Sequence, residues 1–576
     1  MLSLERLQHD FQTIAGFTET PGHGATRPTF SDAWAQAVDY VLAQAQAAGC
    51  AIRRDPAGNA FARSVNLDPE EPVWLVGSHL DSVPHGGDYD GVAGVLTALE
   101  LLRSAYDDGF ALPVELAVFA EEEGPTFGLG MLGSRAMAGT LTADQLQALT
   151  NAQGQSFFEA GQAYGAEPTR LPDARLQPHG YLGLIELHAE QGPGMWRHDQ
   201  RLAVVRSIAG RRQYTVTLTG EANHAGATAM HDRRDALAAA AECLSQLEAL
   251  APKLGPDAVL TVGRLIVEPN AINVIPDRVT FTIDLRAPED AQLAEGDVQL
   301  CQLVTQTATR RRLDTRIEQT ESLPAQPLDA TLVDRLTRLT DTPAVVSGAL
   351  HDAAILAPLL PTAMLFIPSR DGISHNPAEF SRVEDVHAAV AALERLVRQP
   401  TLHRLNHLGR EAFVITLGGI YEHSPWIADA VYDQRPFATI DDLHDAMQHV
   451  VAQATEPEQL ALIRAHPDLV GKLAKQGQLT PESTAEQRAA GLETLTPDEA
   501  QQFDRHNAAY HAKFGFPFVI CARQNRKAAI LAAFPKRLAH ERDAEVATAL
   551  TEIGKIARLR LRDAISETHT PTTDDP

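Results

Sequence analysis

Hydrophobic runs that stop abruptly at acids and histidines set the pattern of the first four hundred residues. VWLV at 73–76 leads into Ser78, His79, Leu80 and Asp81, predicting a buried strand with His79 at its mouth. VELAVF at 114–119 predicts a second such strand, ending in Glu121, Glu122, Glu123 and Gly124, and LGLIELHAEQGP predicts a third, carrying His188 and Glu190. Glycines 86, 87, 91 and 94 form a tight loop that delivers Asp90 ahead of the helical run GVAGVLTALELL. SDAWAQAVDYVLAQAQAAG (31–49) has helical spacing, an N-cap in Ser31 and a stop at Gly49. Strands alternating with helices to about residue 205 are an α/β pattern, in which ligands gather at strand ends.

The texture changes twice. From Ser207, RRQYTVTLTGEANHAG alternates like a half-buried strand. A helix over DRRDALAAAAECLSQLEAL follows, then strands over AVLTVGRLIVEP and RVTFTIDLRAP and another helix, so that 207–322 reads as a compact α+β insertion. After Arg398-Gln399-Pro400 the strand signals give way to helical periodicity through LIRAHPDLVGKLAK, PDEAQQFDRHNAAYHAKF and DAEVATALTEIGKIARLRLRDAI. This predicts a separate all-α domain over 405–565, joined by a linker at 399–404 and followed by a disordered tail at 566–576.

Length agrees with several domains, since 576 residues suggest about three or four units. No apolar run approaches the roughly 18 residues of a membrane span, and a formal charge of −26 argues against nucleic acid and anionic membranes as partners. MLSLERLQHDF lacks the pattern of a signal peptide, and Cys50, Cys243, Cys301 and Cys521 are scattered without a CxxC pair, so a reducing cytoplasm is the expected setting. If the substrate is a carboxylate, local arginine and metal charge must overcome the acidic field.

A lone His-x-Asp is most simply a hydrogen-bonded surface pair. Here, however, histidines and carboxylates arrive from several strand mouths, a donor set suited to zinc, manganese or cobalt. Three adjacent carboxylates at 121–123 would also drive one another towards protonation without a cation. Asp81, two residues beyond His79, is placed to take the second imidazole N–H and hold the ring.

GSHLDSVPHGGDYDG, AEEEGPTFG, ELHAEQGP, GEANHAGATAM, NVIP, DLR, SGALHDA and SRDGISHNPAEF, in this order, resemble the group of dimetal amidohydrolases that includes allantoate amidohydrolase, ureidopropionase and N-carbamoyl-amino-acid hydrolase. The likeness runs from about residue 10 to 398. It implies a catalytic domain over 1–206 and 323–398, with 207–322 as a lid and dimerisation domain, and hence a homodimer. It implies two divalent ions bridged by Asp90, with His79 and His188 at one and Glu123 and His375 at the other, and Glu122 as general base. It further implies that His224 donates to the oxyanion, across the dimer, that Arg286 and Asn273 hold a substrate carboxylate, and that Gln191 contacts the ureido group, with His351 and Asp352 behind the ligands.

FVITLGGIYEHSPWIADA, IRAHPDLVGK, STAEQRAAGL, FDRHNAAYHAKFGFPFVICA and EIGKIARLRLRD resemble 2-oxo-4-hydroxy-4-carboxy-5-ureidoimidazoline (OHCU) decarboxylase over nearly the whole helical domain. The resemblance implies no cofactor, His466 and Glu486 as the acid/base pair, and Pro467 fixing the backbone. Ser483 and Gln487 would bond the ureido or ring amide groups, backbone around Phe518, Val519 and Ile520 would add polar contacts, and Arg537 would clamp the carboxylate. The related sequences usually have RLxN where this chain has Arg537-Leu538-Ala539-His540. The expected function is therefore a bifunctional purine-catabolic enzyme acting on allantoate and OHCU. The alternatives are a carbamoyl-amino-acid hydrolase or ureidopropionase and, for the helical domain, a non-catalytic docking or oligomerisation module.

Overall fold

The computed structural model describes residues 2–470, 483, 486, 487, 490, 492 and 495–568. The chain up to Arg398 forms one compact unit and Gln399–Glu567 a second.

The first unit is organised on a sheet containing, in chain order, β1 (Cys50–Arg54), β2 (Ala60–Ser64), β3 (Val73–His79), β4 (Val114–Phe119), β5 (Tyr181–Ala189) and β6 (Ala203–Ile208). Strands β7 (Gly210–Thr219), β8 (Val259–Thr261), β9 (Leu265–Glu268), β10 (Arg278–Ala287) and β11 (Asp314–Leu323) form a second sheet, and β12 (Gln326–Pro327), β13 (Ala344–Ser347) and β14 (Thr362–Ile367) return to the first. The large sheet has the order β1-β2-β4-β3-β5-β14-β6-β12, with β13 on β6. Its four central strands, β4, β3, β5 and β14, run parallel. VWLVGSH, VELAVF and TAMLFI are buried along their whole length, as strands covered on both faces must be. Because these four strands share a direction, their C-terminal ends lie along one edge, and the segments carrying His79, Glu122–Glu123, His188 and His375 leave from that edge. Gly77 lets β3 and β4 close up, since a Cβ there would meet the Ala117 carbonyl at 1.9 Å.

The helix Val92–Asp107 is buried around nearly its whole circumference and packs on β3, β4 and β5. The Ser31 expectation holds: the helix is Asp32–Ala47, and the Ser31 hydroxyl accepts from Trp34 N at 3.2 Å.

In the insertion, β7, β10 and β11 are long antiparallel strands. Alternate residues of β7 and β10 are buried against the helices Ala236–Leu247 and Asp290–Arg310. The stretch AVLTVGRLIVEP, expected as one strand, is two short ones, β8 and β9, both paired to β10 and interrupted at Val262–Arg264. β6 extends to Ile208 in the large sheet, so the insertion begins with β7.

The second unit is helical, with Arg410–Leu417, Pro425–Val431, Ile440–Gln453, Glu456–Ala465, Pro497–Phe514, Lys527–Leu538 and Arg542–Ala564 around a core that includes Phe413, Met447, Phe503, Tyr510 and Phe534. Leu402 and Leu405, in and beside the expected linker, already belong to this core, and Thr401 bridges to Ser566. The helix expected across LIRAHPDL ends at Ala465: His466 is extended (ψ 137°) because the ring of Pro467 disfavours helical geometry in the preceding residue. Among the described residues no helix is long and apolar enough to cross a membrane.

Candidate functional site

Two groups of ligand-type atoms meet at the sheet edge, His79, Asp90 and His188 in one and Asp90, Glu123 and His375 in the other, with the atoms of each group within 4.8 Å of one another. Asp90 is common to both. Its Oδ1 lies 3.4 Å from His79 Nε2 and 3.0 Å from His188 Nε2, and its Oδ2 lies 3.3 Å from His375 Nε2, which is also 3.3 Å from Glu123 Oε2. Both buried imidazoles are oriented from behind: Nδ1 of His79 donates to the Asp81 carbonyl and Nδ1 of His188 to the Ala189 carbonyl, each at 3.0 Å, which turns each Nε2 towards Asp90. Gly91 closes the loop at φ 66°, where a Cβ would strike the His79 ring at 2.6 Å.

Asp81 holds the His79 ring from behind, as expected, but mainly through its main chain: its carbonyl takes the Nδ1–H at 3.0 Å, while its carboxylate stands 3.7 Å from the same nitrogen because β3 ends at His79. The carboxylate accepts from the amides of Glu122 (3.3 Å) and Glu123 (3.1 Å) and thereby fixes the second strand mouth. Glu122 Oε2 comes within 3.7 Å of His79 Nε2, on the inner side of the cluster. Burial, then the charges of Glu123, Asp352 and Asp81, push the Glu122 carboxyl well above its usual range against the pull of His79. Burial and Asp90 push Glu123 up to about 7. Glu121 accepts from the amides of Thr126 and Phe127, both at 2.9 Å, as a structural carboxylate. Gln191 Nε2 donates to Asp90 Oδ2 at 2.7 Å. Glu190 turns away to accept from Met195 N. Behind the ligands, the His351 ring stands edge-on to His188 at 4.4 Å, and Asp352 accepts from the Ser134 hydroxyl at 2.5 Å.

The insertion presents its three expected residues apart from this cluster. His224 is exposed, and its Nδ1 accepts from Gly226 N and Ala227 N at 3.1 Å, leaving Nε2–H as an outward donor. Asn273 is exposed next to Ile272. Arg286 gives Nε and Nη2 to Asp284 at 2.9 and 3.3 Å and Nη1 to the Gly348 carbonyl at 2.9 Å. Among the described residues no hydrogen bond or ion pair joins any of the three to the ligand cluster within one chain.

In the helical unit a small cavity of about 30 Å³ is lined by His466, Pro467, Ser483, Glu486, Gln487 and the Phe518–Ile520 segment, among others. His466 Nδ1–H donates to the Leu462 carbonyl at 3.0 Å, so Nε2 carries the lone pair. Burial lowers this imidazole to about 4. Gln487 Oε1 accepts from Val470 N at 3.1 Å. Arg537, expected to clamp a carboxylate, does not line the cavity. Its Nε donates to Glu545 at 2.7 Å and its Nη1 to the Val519 carbonyl, and His540, which replaces the usual asparagine, joins the same Glu545 at 2.7 Å. The guanidinium that faces the cavity residues is Arg560. It grips Glu486 through Nε (2.8 Å) and Nη2 (3.1 Å), reaches Glu422 through Nη1 (2.8 Å), and places Nη2 3.4 Å from the Ser483 hydroxyl.

Residues 75–399 match the model of peptidase family M20/M25/M40, and residues 406–562 match that of OHCU decarboxylase. The N-carbamoyl-L-amino acid amidohydrolase of Geobacillus stearothermophilus is 36% identical over 406 residues, 69% of this chain and 99% of that one. The chain belongs to the M20/M25/M40 family. The allantoate amidohydrolase of Escherichia coli K12 is 35% identical, covering 69% of this M20 chain and 97% of its own. A crystal structure of an amidase of the hydantoinase/carbamoylase family from Burkholderia multivorans superposes with a TM-score of 0.64 at 34% identity, covering 68% of this chain and 96% of that one.

An M20 hydrolase unit and an OHCU decarboxylase domain therefore share one polypeptide. The M20 site fits divalent ions on its own geometry. His79 Nε2 and Glu123 Oε1 are buried without a hydrogen-bond partner among the described residues, and imidazole nitrogens and carboxylate oxygens converge from four strand ends. Reading the sequence missed Arg560 and Glu422. The signal for Arg560 was its position on the apolar stripe of the last helix, in step with Ile553, Ile556 and Ala557. Nothing in YEHSPW separates Glu422 from an ordinary surface acid.

Proposed function

We propose that the chain is a bifunctional enzyme of purine catabolism. Its M20 unit hydrolyses allantoate to ureidoglycine, ammonia and carbon dioxide, and its helical unit decarboxylates OHCU to (S)-allantoin. The observation that carries this reading is the junction of the two: an OHCU decarboxylase domain with His466, Glu486 and Ser483 lining one cavity and Arg560 bonded to Glu486 behind it, following an M20 unit similar to an allantoate amidohydrolase.

In the M20 unit, two divalent ions would be held by His79, Asp90 and His188 and by Asp90, Glu123 and His375. When bound they supply Lewis acidity towards a carbonyl oxygen and lower the pKa of water. Glu122 takes the proton of the attacking water and returns it to the departing nitrogen. The outward Nε2–H of His224 donates to the developing oxyanion, reaching the site from the lid of a partner in a homodimer. Arg286 and Asn273 hold the substrate carboxylate and Gln191 the ureido group. In the helical unit no cofactor takes part: the ureidoimidazoline ring accepts the electron pair left by carbon dioxide, and His466 and Glu486 move protons. Ser483, Gln487 and backbone around Phe518 and Ile520 orient the ring, Pro467 holds His466 in its extended geometry, and Arg560 positions Glu486.

The second reading, an N-carbamoyl-L-amino-acid hydrolase, is favoured by the similar identity of the M20 unit to enzymes of that name. Ammonia release from allantoate, compared with turnover of an N-carbamoyl-L-amino acid and N-carbamoyl-β-alanine by the same metal-loaded preparation, separates the two. A clear kcat/KM preference for allantoate is the expected result; preference for a carbamoyl amino acid transfers the assignment to the second reading.

A further inference from the structure

Glu379 lies in the motif that contributes His375, yet it is neither a ligand nor part of the chemistry above. It is a buried carboxylate, 6% exposed. Its Oε2 accepts from the backbone N–H of Tyr89 at 2.9 Å and of Asp90 at 3.1 Å, and its Oε1 accepts from the Ser374 hydroxyl at 2.9 Å. The glycine loop closes directly over it: a Cβ on Gly87 would lie 2.0 Å from Glu379 Oε2. All three donors flank or are metal-ligand residues, Asp90 itself, its neighbour Tyr89, and Ser374 immediately before His375.

Ser374 completes the connection. Its hydroxyl is 3.0 Å from Asp90 Oδ2 as well as 2.9 Å from Glu379, and Gln191 Nε2 lies 3.2 Å from it while donating to the same Oδ2. One hydroxyl proton serves one carboxylate at a time, so with the amide of Gln191 supplying Asp90, the hydroxyl is released to Glu379. Asp90 is thus held twice, through its backbone by Glu379 and through its side chain by Gln191, with Oδ1 turned to His79 and His188 and Oδ2 to His375.

We propose that Glu379 is the positioning residue of the dimetal centre, tying the loop that carries Asp90 to the loop that carries His375 and so setting the affinity of both metal positions. This rests on the reading that the two ligand groups hold metal. A burying role without that function would need no anion here, since a neutral acceptor satisfies two amides equally well. A second carboxylate beside Asp90 makes sense where cations will offset both.

The test is Mn²⁺ binding to the metal-free full-length protein, followed by calorimetry, together with thermal unfolding of each metal-free variant. Wild type is expected to take up two ions per chain and His188→Ala fewer. Glu379→Ala should weaken both positions by about 10- to 100-fold, the usual size of a supporting-residue effect, because Asp90 belongs to both. Glu379→Gln keeps an acceptor for the two amides but removes the charge, and should recover only part of that loss. Ser374→Ala, which cuts the link from Glu379 to the His375 loop while Gln191 still donates to Asp90, should weaken chiefly the position containing Glu123 and His375. Unchanged affinities in a folded Glu379→Ala protein, or a lower melting temperature with intact affinities, overturn the proposal. If that variant does not fold, Ser374→Ala decides: unaltered binding of both ions overturns it. Absence of uptake by wild type, or unchanged stoichiometry in His188→Ala, overturns the metal-site reading and the proposal with it.

Discussion

The pH dependence of decarboxylation is fixed by the environment of one imidazole. His466 is 7% exposed, its Nδ1–H is committed to the Leu462 carbonyl, and burial lowers its pKa from an ordinary 6.5 to about 4. A base of pKa 6.5 is about 3% neutral at pH 5, whereas one near 4 is about 90% neutral, a difference of roughly 30-fold in active base. The kcat/KM for carbon dioxide release from freshly generated OHCU, with the uncatalysed rate subtracted at each pH, should therefore stay nearly flat from pH 7 to 5 and fall only near 4. The same shift is linked to folding. The unfolded chain protonates His466 near 6.5 and the folded chain near 4, so stability is fully present above about 6.5 and is lost as pH falls towards 4, by up to about 3 kcal/mol. His466→Asn should remove this acid-linked loss from the urea unfolding of the helical unit and abolish carbon dioxide release, while ammonia release from allantoate persists. An acid limb in kcat/KM at pH 6 to 7 would show a solvated imidazole and refute the assignment of a buried neutral base.

Other perturbations separate the two units. Glu122→Gln should lower allantoate hydrolysis by about 10²- to 10⁴-fold with metal content, measured by elemental analysis, unchanged; loss of metal together with activity would make Glu122 a ligand rather than a base. Chelation should stop ammonia release and leave carbon dioxide release intact, measured in the same sample. Arg560→Met strands Glu422 and Glu486 as buried carboxylates without their shared cation and should cost about 3–5 kcal/mol of the helical unit's stability in urea along with its decarboxylation. An equal loss of turnover from Arg537→Met at unchanged stability would show that Arg537 holds the substrate carboxylate after all.

The convergence of His79, Asp90, Glu123, His188 and His375 was legible because the strands that carry or precede them are buried runs. VWLV and VELAVF end where polarity begins, and parallel strands bring such endings to one edge. Asp81 meets the His79 ring as its i, i+2 spacing implied, but β3 stops at His79, so the hydrogen bond goes to the main-chain oxygen and the carboxylate stays 3.7 Å away. Arg560 was hidden among Arg558 and Arg562, which look alike in sequence. Helical geometry sends those two to Asp441 and turns Arg560 inward, a distinction visible in the spacing from Ile556 but easily masked by three arginines in five residues. Arg537 had the converse fault: a basic residue in a familiar motif whose charge is consumed by Glu545 within the core. The positions of His224, Asn273 and Arg286 on the insertion follow from strand and loop patterns. Their approach to a reacting group does not: within one chain no bond among the described residues joins them to the ligand-type cluster.

On the proposed reading, allantoin would have to be ring-opened to allantoate before the M20 unit acts, so the two activities would not be consecutive and direct transfer of a product between them would not be the reason for their fusion. Their architecture agrees with independence. The helical unit has its own apolar core drawn from residues 402–565, and its first and last segments are joined to each other by the bridge of Thr401 to Ser566 and the bond from Ser566 N to the Pro400 carbonyl. Among the described residues, no apolar core cluster draws on both sides of Arg398. Two chains divided at that boundary and mixed in equal amounts should therefore match the intact protein, per site, in both ammonia and carbon dioxide release. What the division should change is stoichiometry in the cell, where fusion fixes the two activities at one to one. A fall in either turnover number on separation, with both fragments folded by circular dichroism and gel filtration, would show that one unit supports the chemistry of the other and would refute the argument from separate cores.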